Sequence, residues 1–293
     1  MQVVLISGLS GSGKSIALNV LEDAGYYTVD NLPVALLPQL VAHLTEVGCD
    51  RAAIAVDVRS GVGILELPQQ VETVRGLVDD VRLIFLNARD DTLIARFSET
   101  RRRHPLASDD VTLAEAIPQE RHALAPVAEM SHNIDTSDMH PNTLRAWVKD
   151  FIRADARKGM MLMFQSFGFK FGIPLDADLV FDVRCLPNPH YDAKLRGLTG
   201  CDQPVIDFLS AAPEVRYMAD DIRRFVATWL PSYIRDNRSY LTVAIGCTGG
   251  QHRSVYMAEW LAERFRGDAQ VTVRHRAAAR RDDDEPHAKV RKP

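Results

Sequence analysis

The chain has 293 residues, which at about 150 residues per domain favours two domains over one. Hydrophobic residues make up 46% of the sequence and charged residues 25%, proportions that exclude a disordered, collagen-like or low-complexity chain. The formal net charge is −4, so the overall composition argues against a protein that coats nucleic acid through a bulk basic excess.

The sequence contains no apolar run of the roughly 18 residues that a transmembrane helix requires. Its first residues lack the basic start and the long apolar stretch of a secretory signal peptide. The cysteines are widely spaced and form neither a zinc motif nor a disulfide framework: Cys49, Cys185, Cys201 and Cys247. We therefore expect a cytoplasmic protein without a membrane partner.

The first half of the chain alternates apolar runs with helical patterns. The runs predict strands at residues 3–6, 26–29, 52–58, 81–86 and 132–135. Between them lie helical segments such as 36–45 and 93–103. Continuous Val, Ile and Leu runs separated by helices are typical of a parallel sheet that is covered on both faces.

The second half begins after a predicted helix at 143–157. An apolar run at 160–164 opens it, and further elements are predicted as strands at 179–183 and 241–245 and helices near 220–230 and at 255–265. The predicted architecture is an α/β domain with a parallel sheet at 1–155 and a second α/β domain at 156–293.

Residues 8–15 fit the pattern G-x-x-x-x-G-K-[ST] between a predicted strand and a predicted helix. The glycines allow backbone N–H groups to turn towards phosphate oxygens, and the helix N-terminus adds positive potential. Lys14 is expected to reach the β- and γ-phosphates and Ser15 to ligate Mg²⁺. The candidate nucleotide-binding residues here are Gly8, Leu9, Ser10, Gly11, Ser12, Gly13, Lys14 and Ser15.

A P-loop protein also needs an acidic residue at the end of a neighbouring strand to hold the hydrated Mg²⁺. Asp57 is the first candidate and Asp30 the second, and the alternative for either is a carboxylate that caps a helix or turn. Lys14, Ser15 and Asp57 form the candidate catalytic set. The basic run 101–103 is typical of the lid that small P-loop kinases fold over the phosphates, with an exposed helix end as the alternative.

A second glycine-rich loop, residues 246–254, again lies between a predicted strand and a predicted helix, which is an anion-binding geometry. Cys247 and Arg253 stand in the C-x₅-R spacing of cysteine-dependent phosphatases. Three interpretations stay open: a phosphate pocket without chemistry, a phosphatase with a Cys247 nucleophile, and a structural turn. A phosphatase also needs an acid, for which Asp182 and His190 are candidates.

The end of the chain is locally basic. From Arg274 onward it has seven Lys and Arg and four acidic residues, a net charge of +3. A mobile basic arm favours contact with a phosphate backbone, and the alternative is a solvated terminus. The acids are adjacent, at 282–285, where they weaken such contacts. The candidate RNA-binding residues are Arg274, Arg276, Arg280, Arg281, Lys289, Arg291 and Lys292.

Taken together, these motifs identify a family. The chain resembles, over its whole length, the RapZ/YvcJ family of bacterial P-loop nucleotide-binding proteins. The segments that carry the resemblance are 8–15, 25–27 with 29–33, 101–106, 181–184 with 186–190, and 246–250 with 252–254. The resemblance implies a kinase-like N-terminal domain that binds and weakly hydrolyses ATP and GTP with Mg²⁺. It also implies a second nucleotide-contacting segment at Asp57, Val58, Arg59 and Ser60.

For the C-terminal domain the resemblance implies binding of glucosamine-6-phosphate and of RNA. In the best-studied branch the protein is a homotetrameric adapter that presents a small regulatory RNA to an endoribonuclease. The residues carried over to the sugar-phosphate pocket are Asp182, His190, Cys247, Thr248, Gly249, His252 and Arg253. The prediction is therefore a nucleotide-binding regulatory protein with weak ATPase and GTPase activity. A P-loop small-molecule kinase and a Cys-dependent phosphatase are the alternatives.

Overall fold

In the computed structural model the chain forms two compact units, Met1–Arg153 and Ala154–Pro293. The structure describes residues 1–153, 160–235, 240–267 and 269–277, and the side chains of 60–62 and 153 lie outside that description. The boundary predicted near residue 155 falls outside the described residues. Each unit has a hydrophobic core of its own.

Five parallel strands form the sheet of the first unit: β1 (Gln2–Gly8), β2 (Tyr27–Val29), β3 (Arg51–Ala55), β4 (Asp80–Asn87) and β5 (His132–Asp135). Their order is β2-β3-β1-β4-β5. In this register Leu5 of β1 lies between Ile54 and Leu83. Because the connections reverse direction beside β1, a crevice forms at its carboxyl end, where ligands of open α/β sheets bind.

The helices described in this unit are α1 (Lys14–Asp23), α2 (Leu37–Glu46), α3 (Leu67–Arg75), α4 (Asp90–Thr100), α5 (Leu113–Met130) and α6 (Pro141–Arg153). Pro38 and Pro68 lie in the first turns of α2 and α3, where a missing N–H group costs nothing. α5 starts with a capping box between Thr112 and Glu115.

Two predicted elements of the first unit end earlier than expected. The strand predicted at 52–58 ends at Ala55, and a 3₁₀ segment, Val58–Glu66, follows Asp57. The Asp57 carboxylate caps this segment by accepting the Arg59 N–H at 2.9 Å. The helix predicted at 93–103 ends at Thr100 because Arg101 adopts a left-handed conformation with φ 51°.

The second unit is a four-stranded parallel sheet: β6 (Met161–Gly168), β7 (Leu179–Asp182), β8 (Tyr240–Cys247) and β9 (Gln270–His275), in the order β7-β8-β6-β9. Its described helices are α7 (Gln203–Ser210), α8 (Pro213–Arg235) and α9 (Arg253–Phe265). β6 is buried at every position. The predicted fold class, two α/β domains with parallel sheets, is confirmed. Among the described helices, none is both long and apolar enough to cross a bilayer.

Candidate functional site

The loop at residues 8–15 leaves the carboxyl end of β1 and leads into α1. Gly8 has φ +142°, and a Cβ atom there would lie 2.3 Å from the carbonyl oxygen of Leu86, so only glycine fits. The loop forms one wall of a cleft of about 610 Å³. Charged side chains from other elements also line this cleft: Asp30, Asp57, Arg59, Arg96, Glu99, Arg102 and Arg103.

Lys14 is held against the start of its own loop. Its Nζ donates hydrogen bonds to the carbonyl oxygens of Gly8 at 2.7 Å and Leu9 at 3.3 Å. Burial lowers the pKa of Lys14, and the negative charges of Glu120 and Asp57 oppose that shift without cancelling it. The ammonium group is therefore placed beside the loop that the sequence motif predicts to hold phosphate.

The structure brings the predicted Mg²⁺ ligands to the same cleft. Ser15 is exposed at the first turn of α1, and Asp57 is largely buried beyond the end of β3. Asp30, the second candidate, is exposed on the cleft as well. The side chains of Leu9 and Val58 are buried, so these two residues offer only their backbone. The side chain of Ser60 lies outside the described residues.

Sequence reasoning missed Arg96 of α4. Its guanidinium donates to the carbonyl oxygens of Gly11 at 3.1 Å and Thr136 at 2.6 Å, so it joins the loop to the end of β5. Of the predicted lid, Arg102 and Arg103 line the cleft, whereas Arg101 ends α4. These positions favour the lid interpretation over a plain exposed helix end.

The second loop leaves the carboxyl end of β8 and leads into α9. The Cys247 sulfur is buried, accepts the Gly250 N–H at 3.2 Å, and lies 3.2 Å from the Ser254 hydroxyl. Burial acts to raise the pKa of this thiol, but the hydrogen bonds of Ser254 and Gly250 and the charge of Arg253 lower the pKa overall. The loop therefore favours the thiolate form of Cys247.

Arg253 ties this loop to the segment after β7. Its Nη1 donates to the carbonyl oxygens of Arg184 at 2.7 Å and Leu186 at 3.0 Å, and its Nη2 lies 3.4 Å from the Thr248 hydroxyl. The buried Nε of Arg253 has no hydrogen-bond partner among the residues that the structure describes. One donor of the guanidinium thus remains for an anionic ligand.

The other residues predicted for the pocket, Asp182, His190 and His252, have different partners. Asp182 pairs with Arg184 through both carboxylate oxygens, at 2.7 to 3.0 Å. The hydrogen bonds from Arg184 lower the pKa of Asp182, which keeps its carboxylate ionised. His252 lies 3.1 Å from the Leu195 carbonyl oxygen, and its ring centre lies 6.4 Å from that of His190. A phosphatase would need a protonated acid here, and Asp182 does not supply one.

The basic arm does not begin at Arg274 as predicted, because β9 continues to His275. Arg274 is mostly buried beside Asp176, with 3.4 Å between Nη1 and Oδ2. Arg276 is buried and donates to the Gly172 carbonyl oxygen at 3.1 Å. The remaining candidates and the acidic run 282–285 lie outside the described residues: Arg280, Arg281, Lys289, Arg291 and Lys292.

Comparison with known proteins agrees with this architecture. A family model for the RapZ-like N-terminal domain matches residues 1–156, and one for the RapZ C-terminal domain matches residues 160–279. The chain belongs to the RapZ family. Two relatives named as nucleotide-binding proteins are 74% identical to it: one from Aromatoleum aromaticum, covering 96% of both chains, and one from Azoarcus sp., covering 98% of this chain and 99% of the other. The predicted resemblance is thereby confirmed.

Solved kinases match the first half of this RapZ-family chain only distantly. A sugar kinase from Janibacter sp. covers 52% of this chain and 95% of its own, with 14% identity and a TM-score of 0.38. A shikimate kinase from Bacteroides thetaiotaomicron covers 52% of this chain and 99% of its own, with 15% identity and a TM-score of 0.36. A likeness this distant has no bearing on function.

Proposed function

We propose that this chain is a regulatory nucleotide-binding protein that binds ATP or GTP with Mg²⁺ in its first unit and hydrolyses the nucleotide slowly. The observation that carries the proposal is the loop at 8–15, whose Lys14 and Ser15 share one cleft with Asp57 and a set of arginines. Loop N–H groups and the start of α1 supply donors and positive potential for phosphate. The relatives named as nucleotide-binding proteins support the same assignment.

The residues of the cleft fit a hydrated Mg²⁺ ion. Ser15 offers a hydroxyl oxygen and Asp57 a carboxylate oxygen, and Mg²⁺ binds oxygen ligands from one or two protein groups together with substrate phosphates. Such an ion neutralises phosphate charge. Arg59, Arg102 and Arg103 add further positive charge along the cleft, where guanidinium groups stabilise charge that develops during phosphoryl transfer.

Nucleotide binding is tested by isothermal titration calorimetry with ATP and GTP in the presence of Mg²⁺. The wild type should bind at least one of them, and Lys14→Ala should bind neither. Lys149→Ala, an exposed lysine of α6, is the matched control and should bind as the wild type does. Equal binding by Lys14→Ala and the wild type would remove the proposal.

A small-molecule kinase is the second candidate, because the exposed carboxylate of Asp30 lies in the same cleft and could accept a proton from a substrate hydroxyl. A metabolite screen for nucleotide-dependent phosphoryl transfer separates the two functions. Turnover of one specific acceptor at about 1–100 s⁻¹, as in kinases, would replace the regulatory function. Slow hydrolysis without an acceptor supports the regulatory function.

For the second unit we propose a phosphate-ester pocket at the loop 247–254, with glucosamine-6-phosphate as the candidate ligand. The unpartnered Nε of Arg253, and the Gly250 N–H group and Arg253 charge beside Cys247, support it. Thermal stabilisation by glucosamine-6-phosphate but not by glucosamine would isolate the phosphate contact, because ligands that bind only the folded state raise Tm. Release of inorganic phosphate that is abolished in Cys247→Ser would instead establish the phosphatase.

The roles of RNA adapter, endoribonuclease partner and homotetramer are proposals that rest on the family resemblance. Arg274 and Arg276 are engaged within the second unit and add no support to RNA binding. Of the predicted RNA-binding residues, those beyond Ala277 are then the ones left to contact RNA. A mobility-shift titration with a structured small RNA at several salt concentrations measures this contribution directly.

A further inference from the structure

We propose that Cys201, Glu259 and His275 form a binding site for one divalent transition-metal ion, and that Zn²⁺ is the ion their ligand atoms fit best. The three residues come from the turn before α7, from α9 and from β9. Their sulfur, oxygen and nitrogen atoms all lie within 4.8 Å of one another. In the described part of the chain, this is the one place where three such ligand atoms converge.

The distances suit a tetrahedral ion. Sγ of Cys201 lies 4.0 Å from Nε2 of His275, which in turn lies 3.0 Å from Oε1 of Glu259. Around a tetrahedral Zn²⁺ ion with ordinary bond lengths, these two separations would be about 3.6 and 3.3 Å. Each differs from the observed distance by a few tenths of an ångström, and side-chain rotation can supply that change.

The histidine ring is already oriented for ligation. Its Nδ1 lies 2.9 Å from the hydroxyl of Ser166, a fully buried residue that pairs with His275 across β6 and β9. A hydrogen bond at one ring nitrogen is the usual means by which proteins hold the other nitrogen towards a metal ion. Ser166 thus directs Nε2 to the side where Cys201 and Glu259 lie.

The ligand chemistry selects the class of ion. One thiolate, one imidazole and one carboxylate suit Zn²⁺ and its neighbours, whereas Mg²⁺ and Ca²⁺ prefer sets made of oxygen alone. The site is therefore chemically distinct from the Mg²⁺ ligands proposed at Ser15 and Asp57. With three protein ligands, the fourth position is left for water, and the exposed side chain of Cys201 gives the ion a path from solvent.

The site adjoins the anion loop of the same unit. Gly200, next to Cys201, donates its N–H to the Gln251 carbonyl oxygen at 2.9 Å. A Cβ atom at Gly200 would lie 2.3 Å from the His252 carbonyl oxygen, so the turn and the loop are in direct contact. An ion bound here would fasten that turn to α9 and β9, and it would thereby stiffen one side of the loop at 247–254.

The test is a Co²⁺ titration of the full-length protein after chelator treatment, without nucleotide. We expect one Co²⁺ per chain, with a thiolate-to-cobalt charge-transfer band in the near ultraviolet and the intense visible bands of four-coordinate cobalt. Zn²⁺ should displace the Co²⁺ and abolish both features. Because the readout is absorption by the metal site itself, it is independent of nucleotide or sugar-phosphate binding.

Two variants and a control decide the outcome. Cys201→Ser should lose the charge-transfer band and bind at least about ten-fold more weakly, and Ser166→Ala should keep the band with affinity reduced about 10–100-fold. Cys185→Ser removes another exposed thiol of the same unit and should match the wild type. The proposal is overturned if the wild type shows no charge-transfer band, or if the band persists in Cys201→Ser. Unchanged circular dichroism of the metal-free variants confirms that they fold.

Discussion

The Glu120 carboxylate of α5 holds Ser10 of the phosphate-binding loop at two points. One oxygen accepts the Ser10 N–H at 2.9 Å, and the other accepts the Ser10 hydroxyl at 2.7 Å. His104, which follows the arginines of the lid, lies 3.1 Å from the same carboxylate, and its Nδ1 accepts the Leu106 N–H. Because Nδ1 accepts, Nε2 carries the proton and donates a hydrogen bond to Glu120. The loop and the end of the lid are thus anchored to one buried side chain.

Replacing that carboxylate should loosen the loop. Glu120→Ala leaves the Ser10 N–H and the Nε2–H group of His104 buried without a partner, so we expect a loss of about 2–4 kcal/mol in the free energy of unfolding. Glu120→Gln keeps one hydrogen-bond acceptor, so its free energy of unfolding should fall less than that of Glu120→Ala. Thermal and urea unfolding measure both, with Glu129→Ala, an exposed glutamate of α5, as the control. Equal stability of the two alanine variants would contradict the anchoring role.

The close approach of β6 to the second loop gives a steric prediction. A Cβ atom at Gly168 would lie 2.7 Å from the carbonyl carbon of Gly249 and 2.9 Å from the backbone nitrogen of Gly250. Backbone cannot yield as a flexible side chain does, so Gly168→Ala should cost about 2–4 kcal/mol and weaken phosphate-ester binding. Gly197→Ala meets open space and should leave Tm unchanged. A normal Tm for Gly168→Ala would show that the loop adjusts freely.

The environment of Cys247 predicts the pH dependence of its alkylation. Its lowered pKa means that the thiolate forms at a lower pH than in an ordinary cysteine, so the midpoint of the iodoacetamide rate profile should be shifted downward. Ser254→Ala removes a hydrogen bond to sulfur and should move the midpoint upward. The measurement uses a variant in which the other three cysteines are replaced by serine, so that Cys247 alone is alkylated. Inorganic phosphate bound in the loop should slow the alkylation. An unshifted midpoint in Ser254→Ala would contradict the assigned hydrogen bond.

The position of β9 predicts where the chain can be shortened. Truncation after Ala277 keeps the sheet and should preserve Tm, whereas truncation after Val273 removes Arg274, His275 and Arg276 and should lower it. If the terminal basic residues bind RNA, the truncation after Ala277 should also weaken the salt dependence of RNA affinity. The slope of log affinity against log salt concentration should change by about 0.7 for each phosphate that the arm no longer neutralises. If RNA affinity and its salt dependence are unchanged after truncation at Ala277, the terminal residues do not bind RNA.

Local patterns were predictable from the sequence, and long-range contacts were not. The loop at 8–15 follows from the spacing of its own glycines and the apolar run before it. Glu120 contacts Ser10 across 110 residues, and its sequence neighbours give no sign of that contact. The charge of Arg274 is typical of a basic arm, but Val271 and Val273 alternate before it as in a strand, and β9 includes it.

The same limit applies to the second unit. Cys201 and His275 are separated by 74 residues and meet only because β9 pairs with β6 and the turn before α7 packs on α9. A zinc motif in sequence depends on ligands that are close along the chain, so widely separated cysteines gave no indication of the cluster. The C-x₅-R loop, by contrast, could be predicted from the sequence because Cys247 and Arg253 lie at the two ends of one short loop.

The partial burial of Lys14 has a thermodynamic consequence for any anion that reaches the loop. Its pKa is lowered in the protein alone, and a nearby phosphate would stabilise the ammonium form and move that pKa back upward. At a pH between the pKa of Lys14 in the free protein and its pKa in the complex, binding of the anion takes up a proton from the buffer. The apparent affinity for the anion should then fall as the pH rises from the lower pKa towards the higher one. Calorimetry in buffers of different ionisation enthalpy would detect this uptake as a buffer-dependent heat.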